Sequence, residues 1–319
     1  MKELKEAARV ALTDCMAIKK GENVVVICDE PLRRVGQAFW ETAKELGADA
    51  IFCEIVPRQT NGEEPPKAVA ALLYNCDVFV IPTSCSLSHT DARRKACANG
   101  ARGATLPGIT EDSMKRTLRA DYKKIEERTV RVAKWVNGKK TARVTTKLGT
   151  DITMSIEGRT CHDDTGIVIS PGSFSNLPAG EAYLAPVEGT ARGKMVIDGS
   201  CAGVGIVDEK EPIVIEVADG MATKITGGRA AKELLSLVSK FGKEARNIAE
   251  LGIGTNDEAR LTGSILEDEK VLGTVHIALG DNISMGGKVS VPSHLDLIIK
   301  EPTLVIDGKE LIKDGRQLI

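Results

Sequence analysis

The chain has 319 residues, 42% of them apolar and 28% charged, which is enough material for a substantial core and leaves no case for global disorder. Its 43 Lys and Arg against 45 Asp and Glu give a net charge of −2, and aromatic residues make up 3%. Those figures remove both the positive field and the stacking faces on which nucleic-acid binding depends.

At about 150 residues per domain the length predicts two domains. A charged amphipathic helix is predicted over residues 3–18, then the strand ENVVVIC, a helix from Pro31 to Leu46 and the strand DAIFCEIV. The rhythm continues through a helix at 65–75, the strand DVFVIPT, a helix near 88–98, a short strand at GATLPG and helical residues 110–136. Continuous apolar strands separated by helices predict a Rossmann-like α/β domain, a doubly wound parallel sheet, over residues 1–137. Its first strand-to-helix turn, CDEPLRRVG, lacks the glycines that let a pyrophosphate approach a helix N-terminus, and there is no phosphate-binding loop, so nicotinamide, flavin and ATP chemistry are set aside. The segment TSCSLSHTDARRK brings Ser86, Ser88, His89, Arg93 and Arg94 to a strand end where such domains bind ligands. Equally, Ser88 or Thr90 serves there as a helix cap.

Beyond the turn VNGKK the character changes to short strands between glycines: ARVTTKL, DITMSIEG, GIVIS, GEAYLAP, KMVIDG and PIVIEVADG. Helices are predicted at 229–241 and 243–251, and strands again at TVHIAL, SHLDLII and TLVID, making residues 138–319 a β-rich α+β domain. The segment CHDDTG, with His162, Asp163 and Asp164, reads as a turn or helix cap. Eight cysteines without a Cys-x-x-Cys pair exclude a zinc ribbon and read as reduced core residues, which points to the cytoplasm. No run has the apolar length of a signal-peptide core or a membrane span.

Two of the four histidines fall close together in strand-like contexts, His276 in GTVHIALG and His294 in VPSHLDLII. His294 and Asp296 are two apart, so a strand aims both from one face as a chelating pair for zinc, manganese, cobalt or ferrous iron. A hydrogen-bonded core pair fits the same spacing. Glu181 and Glu250 also sit in apolar, glycine-rich surroundings, where each alone reads as well as a surface carboxylate. Together the five make three carboxylates and two imidazoles, a composition suited to two divalent cations ~3.5–4 Å apart.

The ordered segments NLPAGEAYLAP, AELGIGTN, VHIALGDN and SHLDLII resemble the aminopeptidase T and aminopeptidase S family of metal-dependent exopeptidases. The resemblance implies a cocatalytic pair of zinc, cobalt or manganese ions on Glu181, Glu250, His276, His294 and Asp296. It also implies a peptide substrate hydrolysed from its N-terminus by metal-activated water, and a homodimer. Glu269, upstream of His276, is the expected acceptor of the water's proton. The chain departs from that family in lacking a tyrosine shortly after His276 and in reading EDEK ahead of it. Dihydroxypyridine ring-cleaving dioxygenases are similar to the same family, and that resemblance implies one ferrous ion on His276, His294 and Asp296. A non-catalytic small-ligand or partner-binding protein is the third reading.

Overall fold

The computed structural model describes residues 1–319 and divides into two compact units, Met1–Glu126 with Asp164–Ala179, and Glu127–Asp163 with Gly180–Ile319. Helix α1 (Lys2–Val10) continues as one π-type turn through Cys15, and its buried stripe of Leu4, Ala7, Ala8, Ala11, Leu12 and Cys15 has the helical period. Strand β1 (Asn23–Asp29) leads to helix α2 (Arg33–Glu45) and strand β2 (Asp49–Ile55). Helix α3 (Lys67–Tyr74), strand β3 (Val78–Ile81), helix α4 (Asp91–Ala98) and strand β4 (Arg102–Thr105) follow, then helices α5 (Glu111–Thr117) and α6 (Tyr122–Val136). Thr90 caps α4 by accepting from the Arg93 backbone N–H.

After strands β5 (Thr141–Thr145), β6 (Asp151–Ser155) and β7 (His162–Asp164), the chain returns to the first unit as β8 (Phe174–Asn176). That strand completes a parallel sheet ordered β2-β1-β3-β4-β8. The composition change near 137 therefore does not mark a single junction: the division falls within α6, and 164–179 belongs with the first unit because β8 pairs with β4. GIVIS, expected as a strand, is irregular; Val168 is buried and gives its N–H to the carbonyl of Cys15.

The second unit holds two mostly antiparallel sheets. Its strands continue with β9 (Glu181–Leu184), β10 (Arg192–Ile197), β11 (Ser200–Cys201), β12 (Gly205–Ile206), β13 (Ile213–Ala218) and β14 (Met221–Thr226), followed by helix α7 (Arg229–Ser239). Then come β15 (Ile248–Gly254), the short helix α8 (Ile265–Asp268), β16 (Val275–Gly280), β17 (His294–Ile299), β18 (Thr303–Ile306), β19 (Lys309–Lys313) and β20 (Arg316–Gln317). One sheet is ordered β14-β13-β10-β6-β5-β18-β19-β20 and the other β12-β11-β17-β16-β15-β9-β7. One apolar core takes Ile152, Met195 and Ile215 from the first of these and Leu251, Ile277 and Leu297 from the second.

Two expectations fail here for a physical reason. Residues 243–251 are not a helix but a 3-10 turn (Glu244–Arg246) running into β15, and CHDDTG is not a turn but the edge strand β7. In both cases pairing in the sheet overrides a local pattern that favours another state.

Candidate metal centre

The centre is built on one face of four adjacent strands, β9, β15, β16 and β17. Register fixes it. Glu181 lies opposite Gly254, His276 opposite Gly252, Asp296 opposite Ala278 and His294 opposite Gly280. Because facing residues share a side of the sheet and side chains alternate along each strand, all four project from one face. The intervening Leu251, Ile253, Ile277, Leu279 and Leu297 point into the core. Each of these polar side chains thus stands across from a glycine or alanine, which leaves room for large groups to converge.

Glu250 reaches that face through a β-bulge. Ile248 pairs with Leu279 and Glu250 with Ala278, so two residues of β15 are spent against one of β16. The extra residue, Ala249, reverses the parity: Ile248 stays in the core and Glu250 turns to the polar face. Gly252 is required as glycine, since a Cβ there would lie 1.9 Å from His276 Nε2.

The five residues named from sequence come together. His276 Nε2 is 3.2 Å from Glu181 Oε2 and 3.2 Å from Glu250 Oε1. His294 Nε2 is 3.2 Å from Glu250 Oε2 and 3.3 Å from Asp296 Oδ1. Glu250 is therefore shared by two groupings of close-set ligand atoms, Glu181–Glu250–His276 and Glu250–His294–Asp296. His276 is fully buried, whereas the His294 side chain is 31% exposed and forms the open side.

The donor set calls for a cation. His294 Nδ1 sits 2.8 Å from the carbonyl oxygen of Asp281 and must donate to it, so in the neutral ring Nε2 presents a lone pair to two carboxylate oxygens. Two buried polar atoms, Glu181 Oε2 and His276 Nδ1, have no hydrogen-bond partner. Burial alone would disfavour a charged His276, yet the Glu181 and Glu250 carboxylates override it and hold the imidazole well above its ordinary value. His294 is raised in the same way against burial, by Asp296 and Glu250. An arrangement this demanding of positive charge fits a divalent metal, and the carbonyl on Nδ1 is the outer contact that orients a ligating histidine.

Sequence reasoning missed Lys270. It is 1% exposed, and its ammonium donates to Glu181 Oε1 and, at 2.7 Å, to Glu269 Oε1. The only trace in the sequence is a lysine closing the acidic run EDEK, which reads as a solvated turn. Burial pushes the Glu269 carboxyl up to about 8, with Glu181 and Asp296 adding to the rise and Lys270 opposing it.

A family model described as NicX, 2,5-dihydroxypyridine 5,6-dioxygenase, matches residues 3–318. The chain belongs to this family. The 2,5-dihydroxypyridine 5,6-dioxygenase of Pseudomonas putida strain KT2440 is 26% identical over 220 residues, 65% of this chain and 59% of that relative, so the match spans under two thirds of the relative's length. Among solved structures, 2,5-dihydroxypyridine dioxygenase from P. putida KT2440 superposes with a TM-score of 0.84 at 20% identity, covering 99% of this chain and 96% of the other. AmpT from Thermus thermophilus superposes with a TM-score of 0.74 at 16% identity, over 100% and 99% of the two chains. At those identities the superpositions establish the mixed α/β fold with its parallel and antiparallel sheets.

Membership of the NicX family overturns the aminopeptidase expectation. The motif series that pointed there belongs to a fold the chain also shares with AmpT. Hydrolase, protease and aminopeptidase are withdrawn with it, and with them goes the hydrolytic step in which Glu269 was expected to take up the water's proton. Nothing in the arrangement specifically favours a pair of zinc, cobalt or manganese ions. No helix is long and apolar enough to cross a membrane.

Proposed function

We propose that this NicX-family chain is a non-haem iron dioxygenase that opens a dihydroxylated, nitrogen-containing aromatic ring. The observation that carries the reading is the convergence of two imidazoles and a carboxylate pair on one polar sheet face, in a chain matched to the family over residues 3–318. Imidazole and carboxylate donors with open positions suit ferrous iron. His276, His294 and Asp296 would hold it, with Glu250 set between the two imidazoles. Iron held there would supply the redox chemistry that activates dioxygen toward the ring.

The protein's own part is positional. The Asp281 carbonyl holds His294 in the Nδ1–H tautomer, which leaves Nε2 free to ligate. Glu250, between the two imidazoles, keeps both rings turned inward. The partly exposed side of His294 leaves the centre open to a ligand, whereas the buried side, around His276, is closed by β9 and β15. The test is oxygen uptake by the anaerobically prepared chain, loaded with Fe(II) and given 2,5-dihydroxypyridine. Uptake matched to loss of the aromatic absorbance is expected, and no uptake by the loaded chain refutes the reading.

A further inference from the structure

The carbonyl that orients His294 belongs to the loop 281–293 between β16 and β17, and that loop is built around one side-chain amide. Asn282 is fully buried, and its Oδ1 accepts from the Val289 N–H at 2.9 Å. Its own N–H donates to the Val289 carbonyl at 3.1 Å, and its carbonyl accepts from the Gly287 N–H at 2.9 Å. A Cβ on residue 287 would lie 2.1 Å from Asn282 Cγ, so a bare backbone there is what lets the loop close over the amide. Beside it, the Asp281 N–H donates to the Ser293 carbonyl at 2.8 Å, and the Asp281 carboxylate accepts from the backbone of Ile283 and Val291. The carbonyl that meets His294 Nδ1 at 2.8 Å is thus part of a closed, internally bonded loop.

Two residues from neighbouring turns fasten the loop from outside. Glu188, between β9 and β10, accepts on one oxygen from Asn282 Nδ2 at 3.0 Å and from the Lys288 N–H at 2.7 Å, and on the other from the Arg159 guanidinium. Arg159, between β6 and β7, also donates to the Gly286 carbonyl. The two side chains are only 10% and 20% exposed, which separates this pair from a solvated surface ion pair. Burial pushes the Glu188 carboxyl up, but its backbone, Asn282 and Arg159 contacts leave it below its ordinary value of 4.5. Neither residue supplies an atom to the ligand groupings. We infer that Glu188 is a positioning residue: through Asn282 it fixes the Asp281 carbonyl, and through that carbonyl the orientation of the His294 ring. Contacts behind a metal ligand are worth about 10–100-fold in metal affinity, and here the effect falls on one histidine of the two. His276 Nδ1 has no such partner, so that ring serves as an internal reference. The inference rests on the metal-centre reading above but not on the substrate.

The test uses the whole chain with nitrogen-labelled histidines and Zn(II) as a diamagnetic probe, its affinity read by chelator competition and the rings by NMR. Wild type should show a His294 Nδ1–H that exchanges slowly with water. In Glu188→Ala the affinity should fall about 10–100-fold and that proton should be lost to exchange, with the His276 ring signals unchanged. Asn282→Asp, which keeps the shape and sets a carboxylate against Glu188, should do the same. Asn282→Asp/Glu188→Gln, which restores a donor and an acceptor with their roles reversed, should recover part of both readouts. If Glu188→Ala does not fold, the near-isosteric Asn282→Asp and its rescue decide. Variants that bind zinc as wild type does and keep the His294 proton overturn the proposal alone. So does equal disturbance of His276 and His294, or a double variant no better than Asn282→Asp. A wild-type chain that takes up no zinc overturns the metal centre and the proposal with it.

Discussion

Replacing Gly252 by alanine tests the geometry of the centre without touching a ligand. The added Cβ would lie 1.9 Å from His276 Nε2, 2.1 Å from Cε1 and 2.6 Å from Cδ2, where ordinary contact begins at 3.4 Å. The ring must therefore retreat by roughly 1.5 Å, or β15 and β16 must part. Retreat is obstructed, because His276 is fully buried and its Nε2 already has carboxylate oxygens of Glu181 and Glu250 at 3.2 Å. Overpacking a closed site in this way costs ~1–3 kcal/mol of stability. Moving a group that holds Glu250 weakens metal binding by about 10–100-fold. Denaturant titration of the metal-free chain reads the first effect, and calorimetric titration with Mn(II) the second. If Gly252→Ala matches wild type in both, His276 does not sit as described and the register argument is wrong.

His294→Ala should abolish stoichiometric metal loading, seen by elemental analysis after dialysis, because it removes a ligand together with its anchor on the Asp281 carbonyl. In the first unit, the buried Arg102 guanidinium forks onto Glu22 and donates to the carbonyls of Met16 and Ala17. Arg102→Met should cost about 3–5 kcal/mol in urea titration, since three acceptors lose their donor. The same pair gives the fold a pH dependence. Burial pushes the Glu22 carboxyl up, but the Arg102 hydrogen bonds and the Lys19 backbone N–H outweigh it and leave it below its ordinary value of 4.5. A depressed folded value means the stabilisation is complete above about 4.5 and lost as pH falls through the lower folded value. The urea midpoint should drop on acidification in that window, and drop less in Arg102→Met.

The alternation of helices with continuous apolar strands made the parallel sheet of the first unit legible, because strands such as VVVIC are buried on both faces and carry no competing period. The five polar residues of the centre were legible for a related reason. His276 and Asp296 interrupt apolar strands, where an unpaired polar group would be costly, and His294 and Asp296 share a face by spacing alone. Glu250 was found, but on the wrong kind of element. The bulge at Ala249 breaks the strand period in RNIAELGI, and only pairing with β16 restores it. Lys270 escaped entirely, since its burial depends on Gly254 admitting the 270–271 backbone, a tertiary fact that EDEK does not carry. The chemistry was misjudged because the motifs describe a shared fold. The absent tyrosine and the EDEK sequence, both visible from the start, marked the departure from the peptidases.

The most direct test of the account follows the oxygen atoms. Fe(II)-loaded protein and 2,5-dihydroxypyridine are combined under labelled dioxygen, and the ring-opened product is weighed by mass spectrometry. Dioxygenation places both labelled atoms in the product, and His294→Ala yields no product. A product carrying label from water alone, or an intact ring after dioxygen has been supplied to the loaded enzyme, would contradict the assignment.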